Sequence, residues 1–422
     1  MRWAFKGGLL AVSGGILLGC AGHSPESRLD EVAELAPPGW AASAEARAGV
    51  DSEWVGRIAG REGERLVAEA WAGNPDLRAA GERVRRAEAV AKTAGGELNP
   101  QVSAGLGGQR TKQVFIGFPF GEGGVPSSIS TNYGSQVSVS WEPDVWGFKR
   151  AGQEALIAQA EAQGQIYRAA RASLAAQVVK AWLALAEANE RVALAEEAVA
   201  ARATTVEIVR DRFESALGES GGTATDLRLA QTQVETARAE VLRWQGVREQ
   251  ARRQLEILIG RYPAGRLAKI GGLPEATGVP PAGLPSGLLM RRPDILEAER
   301  RLAGAGRLLK QGKLAFFPSF SLTGSGGTTT ESLRDILKSE FGVWSLAGQA
   351  TQPIWAGGRL WSEYERLKAD ERAALADLQG VVLKAFGEVE QALVAERFLA
   401  ARAGAVERAL GSAREAERQA YD

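Results

Sequence analysis

Residues 178–213 read VVKAWLALAEANERVALAEEAVAARATTVEIVRDRF. Val178, Leu185, Val192, Val199, Val206 and Phe213 recur every seven residues. A second row, Ala181, Ala188, Ala195 and Val209, lies three residues on and is broken by Arg202. Sustained heptads mean packed, supercoiled helices. The stretch lies in a run from Lys149 to Leu217 that contains no proline. A helix of that length reaches about 100 Å, whereas helices of globular domains average about 11–12 residues. After Gly221-Gly222 a second seam follows: Leu227, Val234, Val241 and Leu255, interleaved with Ala230, Ala237, Trp244, Ala251 and Leu258, with Arg248 as its interruption. The pattern predicts two long helices that meet at a tight turn near 216–225 and return antiparallel.

Composition narrows the chemistry. The 422 residues carry 51 basic and 51 acidic side chains, a balance that argues against nucleic acid as the main partner. One His and one Cys leave no pair for an intrachain disulfide and no set for a His/Cys metal cage, so no metal and no cofactor is expected. The same scarcity removes most nucleophile–base pairs, and the carboxylates flank heptads as solvated helix faces do, so no catalytic residue is assigned and no enzyme is expected. No strand–GxxxxGK–helix arrangement exists, and Gly123-Gly124 and Gly326-Gly327 read as loop glycines. His23 receives no role.

The first residues read as a targeting segment. Arg2 and Lys6 precede an apolar run from Gly7 to Gly19 that is too short to span a bilayer as a helix. It ends Leu17-Leu18-Gly19-Cys20, which resembles a bacterial lipobox, so 1–19 is expected to be removed and Cys20 acylated. Ala21 follows; an Asp there would resemble an inner-membrane retention signal. Residues 20–70, rich in Ala, Glu and Gly with Pro37-Pro38, read as an extended lipidated tether with one short helix.

The chain then repeats itself. Asn74-Pro75-Asp76-Leu77 opens a helix: Asn caps, Pro occupies the first turn, and Asp meets the positive dipole end. Arg292-Pro293-Asp294-Ile295 does the same, and Pro75 to Pro100 spans 25 residues, as does Pro293 to Pro318. Between the two, Tyr133–Trp141 alternates Val137, Val139 and Trp141 with Gln136, Ser138 and Ser140, a strand with one apolar and one polar face. Residues 100–111 form a weaker strand, joined to it by a Gly/Pro/Ser loop over 117–130 that follows Phe115 and carries Phe118 and Phe120. After Pro318 and over 341–354 the hairpin recurs, with Trp355 matching Trp146. The chain is an internal duplication: 71–272, a Pro-rich linker over 273–288, and 289–422. The second copy lacks the counterpart of the stretch from about 213 to 260, its last helix.

Four half-apolar strands cannot close a barrel, since single-chain barrels start at about eight, and an open edge in lipid leaves backbone groups unpaired. The strands must close with other chains; two copies give eight strands and three give twelve. The protein reads as mainly α with a small β part, a membrane pore joined to a long hollow rod of antiparallel coiled-coil helices. Phe316, Phe317, Phe320, Trp141, Trp146 and Trp355 read as lipid-facing or interface-belt aromatics, and Arg291-Arg292-Pro293-Asp294 as a structural helix start.

These stretches resemble the outer-membrane factors of tripartite efflux pumps, the TolC family, in its lipoprotein branch paired with resistance-nodulation-division (RND) pumps. The resemblance is carried by Asn74–Leu77, Trp141-Glu-Pro-Asp-Val-Trp-Gly147, Leu289-Met-Arg-Arg-Pro-Asp-Ile295, Phe316-Phe-Pro-Ser-Phe-Ser-Leu-Thr-Gly324 and Pro353-Ile-Trp-Ala-Gly-Gly-Arg359. It implies a homotrimer, a trimeric α-barrel in the periplasm and a twelve-stranded transmembrane β-barrel in outer-membrane lipid. It also implies a periplasmic adaptor and an inner-membrane RND-type pump docking at the tunnel tip. Arg212, Glu214, Leu217, Gly218, Glu219 and Asp226 surround that tip as gate or adaptor-contact candidates. The expected function is a passive exit duct for drugs or other small molecules. A type I secretion channel and a lipid-anchored periplasmic coiled-coil scaffold are the alternatives.

Overall fold

The computed structural model describes residues 23–42, 54–116, 126–215, 223–267, 272–274 and 283–421. The elements in order are α1 (Trp54–Gly73), α2 (Pro75–Gly96), β1 (Gln101–Val114), β2 (Ser127–Trp141), α3 (Phe148–Ser215), α4 (Ala224–Leu258), α5 (Pro285–Leu289), α6 (Pro293–Leu314), β3 (Ser319–Thr330), β4 (Gly342–Thr351) and α7 (Arg359–Tyr421), with short 3-10 turns at Leu29–Leu35, Leu333–Asp335 and Ser339–Phe341. Element lengths recur along the chain: α2 and α6 are both 22 residues, and α3 and α7 are 68 and 63. The chain divides into two compact units, which are taken in turn.

The first unit gathers 84–163 and 296–381 with the N-terminal residues up to Val32. Its four strands form one antiparallel sheet in the order β1-β2-β3-β4, with Val102 opposite Val139, Val139 opposite Gly324 and Gly324 opposite Leu346. β2 begins at Ser127, not after the loop expected over 117–130, because Ser127 to Asn132 pair fully with Gln109 to Val114. Its alternating Ser, Thr and Ile read as loop because the polar partners dominate the composition. The helices of this unit meet through small side chains. A Cβ added at Gly304 would stand 3.5 Å from the Ala158 Cβ, and Ala151, Ala155, Ala158 and Leu302 are buried.

An ionic cluster binds the N-terminal segment into this unit. Arg300 reaches Glu299 on its own helix, Glu161 on α3 at 3.1 Å, and the Pro25 carbonyl at 3.0 Å. The Arg28 amide donates to Glu299 at 2.8 Å, and its guanidinium pairs with Glu371 at 2.6 Å. The hydrogen bond to Glu299 holds the Arg300 pKa above its ordinary value, over the opposing effect of burial.

The second unit holds 33–83, 164–295 and 382–421. Its core joins Leu66, Val67 and Ala70 of α1 to Leu77 of α2, to Val178, Trp182 and Leu185 of α3, and to Leu255 and Leu258 of α4. The tether expected over 20–70 is therefore corrected within the described residues: 54–73 is a helix whose apolar stripe is core, and Trp40 is buried. Frequent Ala, Glu and Gly masked a stripe carried by only a few large side chains. Trp40 donates to the Gly283 carbonyl at 2.9 Å and meets Phe386 edge-on, while the amides of Ala41 and Ala42 both donate to Glu390.

The helix start at Asn74 is built as expected: its Oδ1 accepts from the Leu77 amide at 3.0 Å. Its Nδ2 also donates to the Leu258 carbonyl at 3.0 Å, tying α2 to the end of α4. A Cβ on Gly260, at φ +80°, would stand 2.3 Å from the Gly73 carbonyl oxygen, so that approach requires glycine. Arg292 pairs with Asp294 and with Glu388 of α7 at 2.6 Å, the structural use expected of that motif. The linker region closes with α5, whose Pro285 and Leu289 are buried.

Candidate functional site

The sheet has two chemically distinct faces. Paired residues share a side, so the register assigns every strand residue. One side holds Val102, Ala104 and Leu106 of β1, Val137, Val139 and Trp141 of β2, Phe320 and Leu322 of β3, and Trp344 and Leu346 of β4. Apart from the half-buried Phe320, the large apolar groups are exposed, Leu106 at 79% and Leu346 at 78%. The other side is Gln, Ser, Thr, Asn and Gly almost throughout; β4 alone adds Val343 and Ala347. Across it Ser103 and Ser138 share a hydrogen bond of 2.7 Å, and Ser325 and Ser345 one of 2.8 Å. A hollow of about 700 Å³ lies against the sheet, lined by Ser103, Gln109, Asn132, Gln136, Ser138 and Thr329 among others.

All connections to helices leave one end of the sheet, and both strand–strand loops lie at the other. Aromatics mark the helix end. Trp141 donates to the Leu98 carbonyl at 2.9 Å and Trp146 to the Pro318 carbonyl at 2.8 Å, with Phe317 against the Trp146 ring. Trp355 is exposed. Indoles that bury little and hydrogen-bond at one edge suit a boundary between apolar and polar surroundings. Among the described residues, β1 and β4 each keep one edge without a strand partner.

The helix turn holds the other sequence-derived candidates. α3 and α4 pack along the heptad rows as read: Val206, Ala230 and Val234 are buried together, with Val209 and Leu227 beside them. Arg202, which breaks the α3 row, donates to the Gln233 carbonyl at 3.2 Å. Arg212 and Glu214 are exposed on the last turns of α3. Asp226 has a defined local task instead of a free carboxylate. It accepts from the Thr223 amide at 2.9 Å and from the Thr223 hydroxyl at 2.8 Å, while its own amide donates back to that hydroxyl. The backbone hydrogen bond from Thr223 holds its pKa below the ordinary value. This capping box starts α4, and its Thr-x-x-Asp spacing was legible in the sequence. Leu217, Gly218 and Glu219 of the turn, and Cys20, lie outside the described residues.

One site residue had no sequence signal. Glu256 is buried, yet it accepts from the amides of Gly265 at 2.7 Å, Arg266 at 2.6 Å and Leu267 at 3.0 Å. Burial pushes its pKa up, but the three amides and Arg253 bring the net below the ordinary value. The clasp fastens the chain leaving α4.

Among the described residues no group of three His, Cys, Asp or Glu could hold a metal ion, and no helix is long and apolar enough to cross a membrane. The latter says nothing of a span built from strands.

Comparison with known proteins gives one answer. The family model described as outer membrane efflux protein matches residues 66–261 and 284–421. The outer membrane protein OprJ of Pseudomonas aeruginosa is 30% identical over 375 residues, covering 84% of this chain and 74% of that protein. The toluene efflux pump outer membrane protein TtgF of Pseudomonas putida is 28% identical, covering 78% of this chain and 67% of that one. The open-state outer membrane channel MtrE of Neisseria gonorrhoeae superposes with a TM-score of 0.76 at 27% identity, over 92% of this chain and 83% of that one. The family match extends over both long stretches of the chain, and TtgF is by name the outer membrane protein of a toluene efflux pump. The chain belongs to the outer membrane efflux protein family.

Proposed function

We propose that three copies of this chain close their sheets into a twelve-stranded barrel and form a passive exit duct for small molecules. The observation that carries this is the sheet itself: apolar and exposed on one side, uncharged and polar on the other, with both edges free. An apolar surface of that extent in water opposes folding, and free edges in lipid cost several kcal/mol per unpaired group. Lipid on the apolar side and neighbouring subunits at both edges resolve the two costs together. On β3 this side runs ten residues from Phe320 to Thr330, the partner of Tyr133, with the hydroxyls of Thr328 and Thr330 at its far end, about 33 Å along the strand and about 25 Å tall at ~40° tilt. That matches the ~25 Å apolar band of outer-membrane barrels.

The polar wall offers a path and no tight site, so the driving energy comes from an inner-membrane pump, in our reading of the RND type, coupled through a periplasmic adaptor. Arg212, Glu214, Leu217, Gly218 and Glu219 are the residues we assign to gating or adaptor contact; Asp226 acts beneath them as the cap. Residues 1–19 serve as a cleaved signal and Cys20 as the acyl anchor. The protein carries solutes and performs no catalysis.

Two experiments test this. The purified chain should run as a heat-resistant trimer and conduct ions across a planar bilayer. Deleting its gene should sensitise the host to efflux substrates. A monomer in detergent that passes no current would sink the proposal.

A further inference from the structure

The four strands contain two charged residues, Arg110 and Lys112, and both are basic. They are not on the polar side. Arg110 pairs with Thr131 and Lys112 with Ile129, in phase with Val102, Ala104 and Leu106, so both project from the apolar side. They also lie at one end of it. The paired residues Gly108 and Tyr133 end the continuous apolar rows, and the two cations stand two and four residues beyond, toward the strand–strand loops, where Ile129 and Val114 are the remaining large apolar groups on that side. Both are exposed, and neither side chain makes a hydrogen bond or ion pair with any described residue. Their neighbours on the same side are Thr131, Ile129, Val114 and Ser127, and no strand contributes a carboxylate.

A cation at the centre of the lipid-facing band would be costly, but near the interface the cost falls close to zero. The placement past Tyr133 puts both cations at the interface on the end away from the helices. If the helices are periplasmic, that end meets the outer leaflet, whose glycolipids carry phosphates. The two cations lie about 6.8 Å apart along the strand, as residues i and i+2 do. From that spacing the long Arg and Lys side chains can converge on one phosphate group, with the Arg able to engage two oxygens at once.

We infer that Arg110 and Lys112 form a binding site for the phosphate groups of outer-leaflet lipid. The site rests on the barrel reading above. It fixes the depth of the barrel at its outer rim, as Trp141 and Trp146 do at the helix end. Free inorganic phosphate shares the chemistry but lacks the acyl chains that would lie against Leu106 and Tyr133.

The test uses the full chain reconstituted in phosphatidylcholine vesicles, alone, with lipid A, or with dephosphorylated lipid A. Native mass spectrometry reads the lipid retained per assembly. The wild type should retain lipid A and not its dephosphorylated form, and millimolar inorganic phosphate should not displace it. The double variant Arg110→Gln/Lys112→Gln should lose about thirtyfold in retention. Moving the charges one residue, by adding Gln109→Arg and Thr111→Lys to that variant, restores net charge on the wrong side and should not restore retention. Equal retention by wild type and variant, retention of both lipid forms alike, or displacement by inorganic phosphate overturns the site while ion conductance shows the barrel intact. A chain that neither inserts nor conducts overturns the barrel reading, and the site with it.

Discussion

The α3–α4 seam and the four-stranded sheet are both apolar on one side, yet they complete that side differently. In the seam the chain supplies its own partner: Leu185 is 1% exposed and Leu255 is 0%. In the sheet, Leu106 and Leu346 of comparable size stay about four-fifths exposed, with no element of the chain over them. Heptad rows dictate a facing helix, and the chain provides it by doubling back. Period-two alternation dictates only that one side be dry, and here the chain leaves that side for its surroundings. The difference teaches where folding ends and assembly begins. The helical unit holds a core that closes within one chain, while the sheet leaves its apolar side and both edges open, which lipid and neighbouring subunits complete in the proposed assembly.

The largest effect should come from forcing the sheet to obey the seam's rule in the wrong medium. Val139→Arg places a charge in the middle of the apolar rows, at about 2–4 kcal/mol per chain in mid-bilayer. Membrane-inserted, heat-resistant trimers should disappear on a gel, whereas Ser138→Arg, one residue away on the polar side, should leave them. Next, Leu255→Ala should cost the helical unit about 2–5 kcal/mol in denaturant unfolding of the detergent-solubilised protein. Leu346→Ala should cost under ~1 kcal/mol in the same assay, because that side chain is already exposed. Equal losses would erase the contrast between the two regions.

A smaller effect concerns pH. Glu256 has a folded pKa below its ordinary value of 4.5, so it stabilises the helical unit above that pH. Its contribution is lost as pH falls through the folded value. The wild type should lose thermal stability on acidification below that value, and Glu256→Gln should flatten the dependence at a lower overall stability. The smallest effect is local. Thr223→Ala removes the hydroxyl of the capping box, and amide exchange should speed up in the first turn of α4 with the rest of the seam unchanged.

What was legible in the sequence follows from period. Val178 to Phe213 and Leu227 to Leu258 announced two paired helices, and Val178, Leu185, Val206, Ala230, Val234, Leu255 and Leu258 of those rows are buried, while Phe213 at the end of α3 is exposed. Val137, Val139 and Trp141 announced the two-sided strand, and Pro75 and Pro293 announced the duplicated helix starts. What stayed hidden depended on single side chains reaching across the fold. Leu66 and Ala70 look unremarkable in a stretch rich in Ala and Glu, and only the facing surfaces of α3 and α4 make them core. Trp40, Glu390 and Arg300 hold the N-terminal segment through contacts hundreds of residues apart, which no local pattern encodes. Asp226 was noticed for its charge at the turn, but its Thr223 partner defines what it does. The polar strand over 127–132 needed its hairpin partner to be recognised as a strand at all.

In the proposed duct, β2 stands in a barrel wall with its apolar side to lipid and its polar side to a water-filled path. Cysteine access along that strand tests it most directly, because the natural chain has Cys20 alone. In proteoliposomes a membrane-impermeant thiol reagent should label Gln136→Cys, Ser138→Cys and Ser140→Cys, and leave Val137→Cys and Val139→Cys unmodified. Labelling with no alternation, or alternation in the opposite phase, would contradict it.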